Sequence, residues 1–160
     1  MFRYNEKLKY LPILAPADIA ATATATPYVD LKEAHWATFV LDFGAITNST
    51  IAVTMECSTA ASSNATEQTI AFNYRLSAAV GTDDMGAITA ATTTGAALAA
   101  TDDNKTLLIE LDPSAVAALG ADFRYARAVI TPATDNTAVL VGGAVVLEPR
   151  YPGNDITSAT

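Results

Sequence analysis

The chain is short of the side chains from which most catalytic and metal sites are built. It has one cysteine, one histidine and one tryptophan in 160 residues. With a single cysteine, Cys57, no disulfide can form within the chain. With a single histidine, His35, the Ser-His-Asp, Cys-His and multi-histidine metal arrangements lack their parts. Nine basic residues stand against seventeen acidic ones, for a net charge of −8. That balance supplies no basic face to neutralise phosphates and no polybasic membrane anchor, so neither nucleic acid nor a membrane is expected as a partner. The longest apolar run, Ala138 to Leu147, is about half of the ~20 residues a membrane-spanning helix requires. The polar N-terminus MFRYNEKLKY has no apolar stretch of signal-peptide type behind it, so a soluble protein made in the cytoplasm is expected. Charge is scarce as well, at 16% of residues against about 25% for an average soluble protein. Such a surface suits contact with other subunits or an exported protein.

Small residues and β-branched residues are abundant. Hydrophobic residues make up 51%, many of them alanine, which implies a core of small, closely spaced side chains. Their order has a period of two. Ala37, Phe39, Leu41 and Phe43 share one face of a strand, with Trp36, Thr38, Val40 and Asp42 on the other, and Gly44 is read as its end. Ile51, Val53, Met55 and Cys57 alternate with Ala52, Thr54, Glu56 and Ser58, which puts Cys57 in the core. Ile70, Phe72, Tyr74 and Leu76 define another strand, Met85 to Ala90 a weak one, and Thr106 to Leu111 a buried one. Ala21 to Asp30 reads as a strand over a flexible linker, with Pro27 marking an edge or a bulge. One helical signal stands out: Asp112 as cap, Pro113 at the first helical position and Gly120 closing a helix of about two turns.

The stretch Phe123 to Leu147 reads as the centre of the fold. Two strand-forming runs flank the turn-rich segment Thr131 to Thr137, which predicts an antiparallel hairpin whose second strand is covered on both faces. Gly142 and Gly143 in that strand imply close packing of a backbone or a bulky side chain over them.

The ends read differently. Pro12 and Pro16 interrupt residues 1–20, predicting an extended arm and not a folded element. The apolar residues of that arm must cover either the domain itself or a neighbour. Residues 149–160, which follow Glu148 and begin Pro-Arg-Tyr-Pro-Gly, read as a second arm. The expected fold is therefore all-β: an antiparallel β-sandwich, jelly-roll or Ig-like, over residues 21–148, with one short helix and extended N- and C-terminal arms.

Other constellations have plain readings. His35 precedes a strand and reads as a surface residue. Asp83-Asp84 and Asp102-Asp103-Asn104 read as turns, since neither matches a calcium loop. No two carboxylates stand out as a glycosidase pair. Three sequon matches, at Asn48, Asn64 and Asn104, read as chance in a chain rich in Asn, Ser and Thr. No cofactor and no metal are expected, and no enzymatic activity.

Four segments taken together resemble a family of small tailed-bacteriophage virion proteins: LAPADIAATATATPYVDLKEAHWATFVLDFG, NYRLSAAVGTDDMGAIT with ATDDNKTLLIELDP, FRYARAVITP and EPRYPG. The resemblance covers most of the chain in texture and order and carries no catalytic motif. It implies a head decoration (cement) protein on the capsid exterior that strengthens contacts between subunits of the major capsid protein. A homotrimer is favoured, with β-rich cores and terminal arms. The other readings are a neck, tail or fibre-associated component of the virion, or a carbohydrate-binding sandwich using Trp36. The residues expected to meet a partner are Leu11, Ile13 and Leu14 on the first arm, Tyr28 and Trp36 on the domain, and Arg150 and Tyr151 on the second arm.

Overall fold

The thirteen-residue strand β4 (Ala34–Ile46) sits at the middle of the larger sheet, because its inward face is continuously apolar. Ala37, Phe39, Leu41 and Phe43 are all buried, and the Phe and Leu side chains each contribute about 1.5–3 kcal/mol on leaving water. Strand β4 pairs with β12 (Val139–Pro149) on one side and β10 (Thr106–Leu111) on the other. Gly44 does not end it, since the ladder continues to Ile46 opposite Val139. The computed structural model describes residues 7–20, 22–62 and 65–151.

The fold is an antiparallel β-sandwich. One sheet has the order β1 (Lys9–Asp18), β12, β4, β10, β7 (Phe72–Leu76), β8 (Thr89–Ala91). In the second sheet, β11 (Tyr125–Pro132) pairs along its length with β5 (Ile51–Ser58). Two short strands, β2 (Thr24–Ala25) and β3 (Val29–Asp30), share the free edge of β11. Likewise β6 (Glu67–Ile70) and β9 (Ala96–Leu98) share that of β5. The inward faces of the two sheets form one apolar cluster, with Cys57 inside it as its alternation requires.

The expected hairpin between β11 and β12 does not form, and these strands lie in opposite sheets. Residues 133–138 arch across the end of the sandwich, and the buried Asn136 holds the arch. Its Nδ2 donates to Thr50 O at 3.0 Å and to Ala133 O at 3.2 Å, while its Oδ1 accepts from Ser49 N at 3.2 Å. Each strand buries an apolar face toward the same core, and the connection is long enough to span the ~10 Å between packed sheets. A two-residue hairpin turn would have forbidden this route.

The run from Ile70 to Leu76 also changes sheet. It pairs with β5 up to Ile70 and with β10 from Asn73 onward, bending at Ala71 around the rim of the core. Ile70 and Phe72 stay buried through the bend, because a strand that turns a corner keeps one side inward. The segment expected as one strand over Ala21 to Asp30 is two, β2 and β3, broken at Pro27. In the gap Thr26 is buried, and its Oγ1 accepts a hydrogen bond from Ala128 N at 3.1 Å.

Residues 9–18, expected as an arm, are the edge strand β1. Seven register pairs join it to β12, with irregularities between Pro12 and Leu14 and between Leu14 and Ala17. An edge strand has one side without a partner, so it tolerates the missing N–H groups of Pro12 and Pro16. The surface this strand covers is its own domain. Pro16 lies over Gly142, where a Cβ would meet its Cγ at 3.2 Å, and a Cβ on Gly143 would come within 2.7 Å of Leu41 Cδ2. The two glycines thus make room for a ring on one face and a core leucine on the other.

Helix α1 (Pro113–Ala117) is a single short turn starting as expected: Asp112 Oδ1 accepts from Ser114 N at 2.8 Å, and Pro113 occupies the first turn. Val116 anchors it in the core. At the other end of the chain, Arg150 N donates to Glu33 O at 2.8 Å, which ties the exit of β12 to the domain. The rest of the expected C-terminal arm, 152–160, and residues 1–6 lie outside the described residues.

Candidate functional site

The outward faces of the two sheets differ in kind. On the second sheet, Arg127 of β11 lies opposite Glu56 of β5 and pairs with it at 2.8 Å, and with Glu67 at 3.2 Å. Its guanidinium stacks 4.4 Å from the centre of the Tyr28 ring, and the Tyr28 hydroxyl donates to Glu67. Burial, and then the bond to Glu67, raise the Tyr28 pKa above its ordinary value. Just before that strand, Arg124 pairs with Asp30 at 3.1 Å and lies over the Tyr125 ring. Charges and rings on this face satisfy one another within the chain.

The outward face of the larger sheet is mixed and carries an apolar patch. Register places Tyr10, Val146, Thr38, Glu110 and Asn73 in one row across five strands. The adjacent row reads Pro12, Ala144, Val40, Leu108 and Arg75. Tyr10 is 58% exposed, Leu140 43% and Trp36 37%, and Val40, Leu108 and Val146 are half-buried between them. Along the second row a groove of about 640 Å³ runs between β1, β12 and β4, walled by Tyr10, Leu14, Pro16 and Leu140. Isolated exposed apolar side chains are ordinary on soluble proteins, whereas a run of them across adjoining strands marks a contact surface.

The seven residues expected to meet a partner separate on this framework. Ile13 is 4% exposed and Tyr28 5%, so both are occupied inside the chain and leave the contact set. Leu11 and Leu14 are half-buried and pack against the core from β1. Trp36 is on the apolar face, next to Glu148 in the register. Arg150 and Tyr151 are exposed at the end of β12, with Arg150 Nε donating to Ala34 O at 3.0 Å. Tyr10, Val40, Leu108, Leu140 and Val146 were not singled out from sequence. The alternation of β4 already turned Val40 outward beside Trp36, but its apolar neighbours become visible only with the strand order.

Cys57, Asp102 and Asp103 are occupied locally. Burial, with Glu56 adding to it, pushes the Cys57 thiol up to about 12. Asp102 accepts from Ala99 N and from Lys105 Nζ, both at 2.9 Å, and Asp103 accepts from Ile46 N at 3.3 Å. Among the described residues no three His, Cys, Asp or Glu side chains converge as a metal site, and no helix is long and apolar enough to cross a membrane. Trp36 borders a small depression of about 270 Å³ that Asn73, Glu110 and Asp112 also line.

Comparison with protein-family models, with curated proteins and with solved structures returned no match.

Proposed function

We propose that the protein is a non-enzymatic structural component of a tailed-phage virion, a decoration protein that binds the outside of the head and stabilises contacts between capsid subunits. One observation carries the reading: the apolar patch on the outward face of the larger sheet, which runs from Tyr10 through Val146 and Val40 to Leu108 and is bordered by Trp36 and Leu140. The resemblance of the chain's segments to small phage virion proteins supports it, as does the low charge content. In this reading the major capsid protein covers that face. A homotrimer supplies three copies of it, so modest contacts add through multivalency. The apolar face takes the role that free arms have in the sequence-based expectation, because β1 is committed to its own sheet.

The test is co-sedimentation with expanded capsids, followed by cryo-EM of the decorated particle. Val40→Lys and Leu140→Glu should each abolish binding while leaving the melting temperature of the free protein within about 2 °C, since neither side chain is in the core. Wild-type density at a single vertex or along a tail would reassign the protein to the neck or tail. Undiminished binding by both variants would remove the face from the mechanism.

A second reading has its own observation. Trp36 beside Asn73, Glu110 and Asp112 combines an exposed ring with polar groups able to bond hydroxyls, the chemistry of a carbohydrate-binding sandwich. Glycan-array binding that is lost in Trp36→Ala and retained in Leu140→Glu would favour it over capsid decoration.

A further inference from the structure

At one end of the sandwich, remote in chemistry from the apolar face, a cleft of about 690 Å³ opens between α1 and the Leu31–Lys32 turn. Its floor is apolar, formed by Leu31, Pro113 and Phe123, all buried. Its rim carries Lys32, Arg124 and Arg150, with Asp122 the one carboxylate in the lining. The chain as a whole has nine basic residues against seventeen acidic, whereas the lining itself has three cations to one carboxylate, and Asp30 and Asp112 just outside it bring the local charges level.

Two of the cations are held in position before any ligand arrives. Arg150 is fixed through Nε to Ala34 O at 3.0 Å and lies near Asp112, and its terminal amino groups remain as donors. Arg124 is fixed through one terminal nitrogen, which contacts Asp30 at 3.1 Å and the Tyr125 hydroxyl. Asp30 and Asp112 offset part of this charge, and Lys32 has no ion-pair partner among the described residues. Arg150, anchored through Nε, presents its terminal pair of donors to a carboxylate at little further cost in side-chain freedom, and Arg124 keeps its second terminal nitrogen as a single donor.

We infer that this cleft binds an acidic peptide segment of a partner protein. Carboxylate side chains would meet Lys32, Arg124 and Arg150, and a neighbouring apolar side chain would rest on Leu31 and Phe123. The volume favours a peptide over a lone anion, because it falls in the range of sites that enclose whole ligands of several hundred cubic ångströms. The apolar floor has no use for a free inorganic ion. The inference stands whether or not the apolar face binds a capsid.

The experiment is a ¹⁵N-HSQC titration of the full chain with a capped hexapeptide of Glu residues around one Phe. The same peptide with Gln for Glu, and inorganic phosphate, serve as separate arms. Saturable shifts confined to the amides around Lys32, Thr59, Phe123, Arg124 and Arg150 are expected with the Glu peptide, weakening as salt is raised. Lys32→Glu should weaken binding roughly fivefold or more with an unchanged melting curve, because Lys32 is exposed. Arg150→Gln should weaken it further. Absent or dispersed shifts, equal affinity for the Gln peptide, or undiminished binding by Lys32→Glu would each overturn the inference. So would phosphate matching the peptide in affinity at the same amides, since the cleft would then read charge alone.

Discussion

Ile13→Ala is the sharpest test of where the N-terminal segment belongs. Ile13 is 4% exposed and belongs to the core cluster, although it sits on an edge strand beside two prolines. The substitution removes three buried carbons at about 0.8 kcal/mol each, a transfer loss of about 2.4 kcal/mol. A cavity left behind adds to this, but β1 has partners on one side only and can settle inward, so the total belongs near the low end of the ~2–5 kcal/mol range for such changes. The expected cost is about 2–3 kcal/mol. For a chain of this size that lowers the melting temperature by about 4–12 °C. The control is Tyr10→Ser on the same strand, whose side chain is mostly in solvent and whose loss should cost within about 0.5 kcal/mol. Urea denaturation separates the cases: the midpoint should fall for Ile13→Ala with the slope unchanged. If the two variants unfold together, β1 is not docked on β12 in solution and the arm expected from sequence is restored.

Three further outcomes follow from the same geometry. Cys57 should resist a thiol reagent in the native protein at pH 8 and react fully in denaturant. Its thiol pKa stands at about 12 against an ordinary 9.0, so its contribution to stability is complete below pH 9 and is lost as pH rises from there toward 12. Cys57→Ala should flatten that alkaline decline in a urea-midpoint series. Removing the cap by Asp112→Ala should cost about 1 kcal/mol, measured by chemical denaturation at pH 7. Bonds from Ser114 hold the Asp112 carboxyl below its ordinary 3.8, so this contribution is present above that pH and disappears on acidification. Arg127→Met should destabilise on the order of 1 kcal/mol, since these ion pairs are partly exposed and it leaves Glu56 and Glu67 facing each other. Glu56→Gln in the same chain should recover part of the loss, as a double-mutant cycle would register.

What was legible in the sequence was which side of a strand faces inward. That depends on one residue and its nearest neighbours, so Phe39, Leu41, Phe43, Val53 and Met55 are buried where alternation puts them. What escaped was which strand lies beside which, because pairing is settled by connections whose path has no local signature. The seven residues from Thr131 to Thr137 are as compatible with a loose hairpin as with an arch, and Asn136 decides between them through bonds to Ser49 and Thr50, more than eighty residues away in sequence. Likewise nothing in the unbroken alternation from Ile70 to Leu76 marks the bend at Ala71. Prolines misled for a related reason: Pro12 and Pro16 forbid a central strand but are at home on an edge. The candidate site suffered most from this. Tyr28 looked available until the pairing of β11, β5 and β6 brought Arg127 and Glu67 to it, and Val40 and Leu108 became neighbours only once β10 was placed beside β4.

The contrast between the two outward faces bears directly on how the molecule would be used. A sheet face meant for solvent needs polar side chains, and the second sheet has them, tied across strands as Arg127–Glu56 and Arg124–Asp30. The larger sheet sets Val40, Leu108 and Val146 close together among Thr38, Asp42, Glu110, Glu148 and Arg75, which form no ion pairs across its strands among the described residues. Its outer edge β1 is long enough to recruit a foreign strand, yet Pro12 and Pro16 remove donors that such pairing would need. A partner is therefore steered from the edge to the face. Contact across a face buries side chains without adding strands, so it can be repeated on a lattice without the risk of open-ended sheet growth. For a protein proposed to coat a particle in many copies, blunting the edge while leaving an apolar patch on the face favours attachment to the particle over association of the free copies into fibres.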